Sequence, residues 1–537
     1  MKYYIIIVMF DISGFVNWFR KNFSKRDLFY TALLLVTYLA TRLINLDKFP
    51  IFTDEGIYIH WSKIAWKDAA WRFISLTDGK QPLHTWGMIP FLKIFSPNLL
   101  LGGRMFSVLS GLIALKGVFS LSYYLWGKKT AFIASLFYIF TPMFLFYDRM
   151  ALADSAVNAG FIWILFGSIL LIRTLRMDVA LAFGLAAGTA MLTKSSSQMF
   201  VALSGLAPVL AFKKKSFIKN SFSFYVLFVF AYVLALVIYN VQRLSPYLQY
   251  VDQKNGTFVL TFKEFFAAPF SLVISNLPLI PWYVFSEMGY ALGVIGVVGL
   301  FFLIKKDWRL GLYLAAWLLF PYVAISFFAK VIFPRYLIFF ATLLTLTAAY
   351  LISSTKNRTV KVLCFTFYAL SVGYFNYAIL FDNQKIPFPP VDRGQYIESV
   401  NAGYGIKDLI QYAREKSMDK PVILLAEGNF GVVGDMLESS IGIGEKISIR
   451  GFWPLNAKDL YDNQKELANN HVYVVYSHRK LSEIDSSWPL RLIKEYRRPF
   501  GDSSFTLLEL TSANSSFKTF YLVRRLGTIS RSKIQKR

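Results

Sequence analysis

The chain is poor in the residues that usually build metal and redox sites. Its 537 residues include one cysteine and four histidines. The lone Cys364 sits inside an apolar run, which excludes an intrachain disulfide and any cysteine-based zinc site. His60, His84, His471 and His478 show no His-x-x-x-His spacing, so no metal-ligand motif is legible. A G-x-G-x-x-G loop is also missing. The nearest approach, Glu427 to Gly434 with Gly428, Gly431 and Gly434, reads as a strand–helix turn rather than a nucleotide site. No internal repeat and no long low-complexity segment occur. Acidic residues are scarce, 32 against 58 basic, for a net charge of +26. What abounds is apolar surface: 55% hydrophobic and 18% aromatic residues, with a mean hydropathy of +0.45. That excludes a soluble enzyme and points to a polytopic α-helical membrane protein. The basic excess lies largely in short clusters between apolar runs, so topology explains it better than nucleic acid does.

Eleven spans are expected, at 28–46, 101–126, 130–147, 151–172, 179–193, 197–212, 221–241, 283–304, 310–329, 335–354 and 360–381. Those at 179–193 and 197–212 are short. The basic clusters at Arg20–Arg26, Lys128/Lys129, Arg173/Arg176, Lys213–Lys219, Lys305–Arg309 and Lys356–Lys361 then all fall on one side, the cytoplasmic one. This requires Leu83 to Ser96, with His84, Pro90 and Lys93, to lie at the interface rather than cross. Met1 to Phe10 reads as a second interfacial helix and not a cleaved signal. The segments 47–100, 147–154, 193–198, 242–282 and 329–335 become extracytoplasmic, and the unusual polar residues collect there. After Phe381 the composition turns polar. Strand-like runs at Val422–Ala426, Val472–Tyr476 and Phe505–Leu510 alternate with helical patterns at Ile406–Lys416 and Ala457–Ala468. The expected organisation is a transmembrane domain over 1–381 and an extracytoplasmic α/β domain over 382–537, with the N-terminus cytoplasmic.

Ionisable groups beside a bilayer are functional candidates by default. Asp54 and Glu55, followed by Tyr58 and His60, can serve as a general base or metal ligands, or merely cap a helix. Lys80, two residues after Asp78 and four before His84, can hold a lipid phosphate as a point charge or simply snorkel. Asp148, Arg149 and Asp154 mark a tight outer turn, where they form a site wall or a local ion pair plus a cap. Lys194 and the Arg335–Tyr336 pair place cations on the outer face, against the inside bias. The sequon Asn255-Gly256-Thr257 is too common by chance to weigh.

Taken in order, Asp-Glu-x-x-Tyr at Asp54–Tyr58, Gly79-Lys80-Gln81-Pro82-Leu83, the Gly102–Gly111 run, Arg149-x-x-x-x-Asp154 and Pro334-Arg335-Tyr336 resemble a known pattern. It is that of the GT-C glycosyltransferases of the protein O-mannosyltransferase and lipid A aminoarabinose transferase type, over roughly residues 28–350. The resemblance implies a polyprenyl-phosphate sugar donor, a protein, lipid or glycan acceptor outside the cytoplasm, and direct displacement with inversion. By the same resemblance Asp54 is the catalytic base with Glu55 beside it. Lys80 and Arg335 contact the donor phosphate, and Arg149 and Asp154 match the second polar turn. Relatives often carry Lys-Pro-Pro-Leu, and some a Glu before that Lys, where this chain has Gln81 and Gly79. For a divalent metal at the Asp54/Glu55 loop, Asp78, one position before Gly79, is the substitute for that Glu. The rival class is a transporter or flippase for a lipid-linked or charged solute. It is expected to place polar groups at the bilayer midplane in repeated halves.

Overall fold

The computed structural model describes residues 21–212, 216–428, 430–431, 433–500 and 503–512. The expected helix at Met1–Phe10 and residues Lys213–Lys215 of one basic cluster lie outside the described residues. The chain divides into two compact units. Met1–Leu46, Ala65–Gly87 and Arg104–Pro389 form the first; Asp47–Ile64, Met88–Gly103 and Pro390–Arg537 form the second. The second unit thus takes in two stretches of the first polar segment as well as the C-terminal part.

The first unit is helical. Among the described residues, six helices are long and apolar enough to cross a membrane: Leu99–Trp126, Asp154–Thr174, Phe217–Leu244, Trp308–Phe328, Pro334–Ser354 and Arg358–Phe381. A seventh is added if Val273–Met288 and Tyr290–Lys306, bent by 114°, count as one span. The bend falls at Gly289, whose φ of +82° a side chain rarely adopts. Every expected span contains a helix, but four of these helices are too short or too charged to count among the six. Lys25–Leu43 carries Lys25, Arg26, Asp27 and Arg42. The run at 130–147 is split at Thr141 into Lys128–Phe140 and Pro142–Tyr147, and Met177–Met191 and Ser197–Ala211 are short. Val273–Met288, with Pro278 and Pro281 inside it, is helical where the last residues of the 242–282 segment were expected as loop. Leu83–Phe95 has 13 residues, too few to cross, as its sequence implied.

Close packing here uses small residues, as expected where lipid supplies no hydrophobic drive between helices. A Cβ on Gly184 or Gly188 would meet Ala231 or Ala235 of the neighbouring helix. Gly296 lets Thr347 Oγ1 donate to its carbonyl oxygen at 2.7 Å. Pro334–Ser354 is almost wholly buried and so central, whereas Phe217–Leu244 is mostly exposed.

The second unit holds a five-stranded sheet: β1 (Val422–Glu427), β2 (Ile447–Phe452), β3 (His471–Tyr476), β4 (Leu490–Arg497) and β5 (Ser504–Leu510), in the order β2-β1-β3-β5-β4. The β2-β1-β3 core is parallel, and β5 and β4 join it antiparallel. Alternate residues of β1, β3 and β5 feed two cores. Val422, Leu424, Ala426, Tyr473, Val475, Phe505 and Leu507 pack with Ile406, Leu409, Ile410 and Ala413 of the Ile406–Lys416 helix. Ile423, Leu425, Val472, Val474, Leu508 and Leu510 pack on the other side with Leu455 and Leu460. Burial on both faces is why β1 reads as a continuous apolar run. Ile51 joins the first of these cores. Residue Phe52 bridges Ala402, and Gly403 N donates to Ile51 O at 2.8 Å.

Candidate active site

In the first unit, five distant segments converge. Leu83 N donates to Leu192 O at 3.1 Å, Gln81 Nε2 to Ser195 Oγ at 2.6 Å, and His84 Nε2 lies 3.2 Å from Ala151 O. Lys194 Nζ donates to Asp154 Oδ1 at 3.1 Å and stands 3.9 Å above the Tyr336 ring. The Arg335 guanidinium lies 5.3 Å from the same ring. Asp78 is clasped by two lysines, Lys254 at 2.7 Å and Lys80 at 3.6 Å. Lys254 sits on the Tyr250–Phe258 helix, which also brings Phe258 to 6.2 Å from Tyr336.

The Gly79 position is dictated by geometry. Its φ is +64°, and a Cβ there would strike Tyr250 O and the Lys254 side chain. The glycine lets the chain turn tightly enough for Asp78 to reach Lys254 and for Lys80 N to bond Ser75 O at 3.0 Å. Four cations (Lys80, Lys194, Lys254, Arg335) accompany two carboxylates (Asp78, Asp154), a formal surplus of two positive charges. Lys80 and Lys194 remain partly exposed, with side chains at 21% and 32%. Such a cluster can neutralise a dianion. His84 is 1% exposed, and burial holds its imidazole down at about 4. It is therefore neutral near pH 7, with Nε2–H donating to Ala151 O.

Asp148 and Arg149 fall elsewhere in the same unit, where they are engaged in ion pairing and packing. Asp148 is 0% exposed and bonds Arg42 at 3.1 Å and Ser155 Oγ at 2.8 Å. Arg149 donates to the carbonyls of Thr41, Arg42, Ile44 and Asn45, which end the Lys25–Leu43 helix. The second is a cation satisfying the orphan carbonyls of a helix C-terminus.

In the second unit, Asp54 and Glu55 open the Thr53–Lys67 helix, where the dipole favours acids. Glu55 is 0% exposed, and its Oε2 takes the Phe52 N–H at 3.0 Å. Asp54 is half-buried one residue earlier. Tyr58 packs edge-on to Trp61 at 5.9 Å, and Trp61 lies 6.1 Å from Phe430. Among the described residues, no three His, Cys, Asp or Glu side chains gather as metal ligands would. Glu55 is taken up by a backbone amide and Asp78 by two lysines.

Residues 79–239 match the family described as dolichyl-phosphate-mannose-protein mannosyltransferase, a stretch containing Lys80, Asp154 and Lys194. The fold matches ArnT from Cupriavidus metallidurans in the apo state, at TM-score 0.58 and 14% identity over 91% of this chain and 98% of that one. It matches the same protein bound to undecaprenyl phosphate at TM-score 0.61 and 13% identity, with the same coverage. An Archaeoglobus fulgidus oligosaccharyltransferase matches at TM-score 0.50 and 13% identity, over 83% of this chain and 67% of that one. No curated protein matches by sequence. The chain resembles the GT-C membrane glycosyltransferases of the protein O-mannosyltransferase and ArnT type. The shared fold and the family match together indicate a glycosyltransferase.

Two features of this GT-C-like chain escaped sequence reasoning. Lys254 carries no motif and meets Asp78 across 176 positions. Asp435 meets His60 across 375 positions, and only the glycine-rich turn preceding it drew notice.

Proposed function

We propose that the protein transfers a sugar from a polyprenyl-phosphate donor to an acceptor hydroxyl on the extracytoplasmic side of the membrane. The observation that carries this reading is the Lys80, Lys194, Lys254 and Arg335 cluster, whose surplus positive charge suits a lipid phosphate. The structural relative bound to undecaprenyl phosphate supports it. In the reaction the acceptor oxygen attacks the anomeric carbon as the bond from that carbon to the phosphate oxygen breaks. The bond electrons leave with the polyprenyl phosphate, and the acceptor proton goes to Asp54. General-base catalysis of this kind is worth roughly 10²–10⁴ in rate. Lys80 and Arg335 stabilise the departing phosphate as preorganised charge. Anomeric inversion follows from a single displacement. The acceptor is a protein, lipid or glycan hydroxyl.

Titration of the purified protein with undecaprenyl phosphate tests the phosphate role. Lys80→Ala is expected to weaken binding about tenfold or more, the loss of one charge-assisted contact. Affinity equal to wild type would remove Lys80 from the donor site.

A further inference from the structure

The helix that carries Asp54 is gripped along one side by the C-terminal part of the second unit. A Cβ on Gly56 would meet Met436 N at 3.0 Å and Met436 Cα at 3.1 Å, so the two backbones touch. One turn on, His60 Nδ1 lies 2.5 Å from Asp435 Oδ1. A further turn on, Lys63 Nζ donates to Glu438 Oε2 at 3.0 Å, Glu438 O at 2.9 Å and Ile441 O at 3.1 Å. Positions 56, 60 and 63 share one helical face. The start of the helix is fixed as well, since Thr53 N donates to Asn401 O at 3.1 Å.

Asp435 does two jobs. Its Oδ1 takes His60 and its Oδ2 accepts the Gly431 N–H at 2.6 Å. That ties the helix to the turn after β1, where Gly431 has φ +77° and Val433 φ +65°. The turn in turn touches the residues on either side of Asp54: a Cβ on Gly431 would lie 3.4 Å from Thr53 Cγ2 and 3.8 Å from Ile57 Cδ1. Asp435 is 4% exposed and the His60 side chain 23%. An apolar pair of similar volume would hold the helix by packing alone, without the desolvation cost. What a directional His–Asp contact adds is a fixed rotation of the helix about its axis, hence a fixed aim for Asp54, less than two turns earlier.

We propose that His60 is a positioning residue for Asp54, anchored by Asp435, so that the α/β unit sets the aim of the base. This rests on the reading of Asp54 as base. A misplacement of about 1 Å can cost roughly 10²-fold in rate. The mechanism therefore predicts a loss in kcat and not in donor binding.

The test uses the full-length protein with undecaprenyl-phosphate-linked sugar as donor, comparing His60→Ala, His60→Asn, Asp54→Asn and the His60→Ala/Asp54→Asn double variant. His60→Ala should lower kcat roughly tenfold to hundredfold while donor KM stays within about twofold. His60→Asn, whose amide nitrogen takes the place of Nδ1, should recover most of kcat. On top of Asp54→Asn, His60→Ala should cost nothing further, because both act through one group. A purely structural His60 would lower thermal stability without that split, rescue or non-additivity. An active His60→Ala beside an inactive Asp54→Asn overturns the positioning role alone. An Asp54→Asn variant with near-normal turnover overturns the base reading itself. If His60→Ala does not fold, Asp435→Asn carries the test, keeping the volume and one acceptor oxygen, and an unchanged kcat there overturns the role.

Discussion

Asp148 and Lys80 show how one kind of sequence signal, a charged residue in a turn, leads to two different environments. Asp148 is sealed against Arg42, Tyr38, Tyr138 and Ser155, so its charge is spent on the fold. Removing it as Asp148→Ala strands Arg42 in the interior and should cost about 3–5 kcal/mol, read as a lowered thermal midpoint in detergent. Lys80→Ala should leave that midpoint near wild type. His84 adds a pH signature. Its folded value of about 4 lies below the ordinary imidazole value of 6.5, so the unfolded chain takes up the proton first. Stability should therefore fall as pH drops from 6.5 to 4 and level off below, by about 3 kcal/mol in all. His84→Asn should flatten that slope in a pH series of unfolding measurements. Asp154, Lys194 and Arg335 were exposed by standing at the ends of apolar runs, and Lys80 by its Gly-Lys-x-Pro-Leu motif. Those signals could not tell them from Asp148 and Arg149, since burial depends on neighbours such as Arg42 that are 106 positions away.

Elements were legible where one physical signal dominates. The helices near positions 100–126 and 358–381 show as apolar length, and Ile406–Lys416 shows as apolar residues at 406, 409, 410 and 413. β1, β3 and β5 show as apolar runs because both faces are covered. The edge strands β2 and β4 were missed, since their exposed faces carry polar residues such as Arg450 and Lys494 and no run forms. The turn at Gly79 is the element on which the charge cluster depends. Gly79→Ala forces a side chain into Tyr250 O and into a strained φ, which should part Asp78 from Lys254. Both polyprenyl phosphate affinity and thermal stability should fall, in contrast with Lys80→Ala, which should lower only the first.

At the scale of the molecule, a chain divided by composition near position 381 folds with a different boundary. Asp47–Ile64 and Met88–Gly103 belong with the C-terminal sheet, although they lie next to apolar runs in sequence. Their membership depends on pairings such as Phe52 with Ala402 and Lys63 with Glu438, across more than 300 positions, which no local pattern encodes. The consequence is that the proposed base is built into the α/β unit, while the cations proposed to hold the donor phosphate are built into the helical one. The central claim is that this chain moves a sugar off a polyprenyl phosphate with Asp54 as base. The most direct measurement incubates purified wild type and Asp54→Asn, side by side, with radiolabelled polyprenyl-phosphate sugars and a membrane extract as acceptor source. Label should leave the lipid with wild type and stay on it with Asp54→Asn. Label that stays on every donor with folded wild type, or leaves equally with both proteins, would contradict the account.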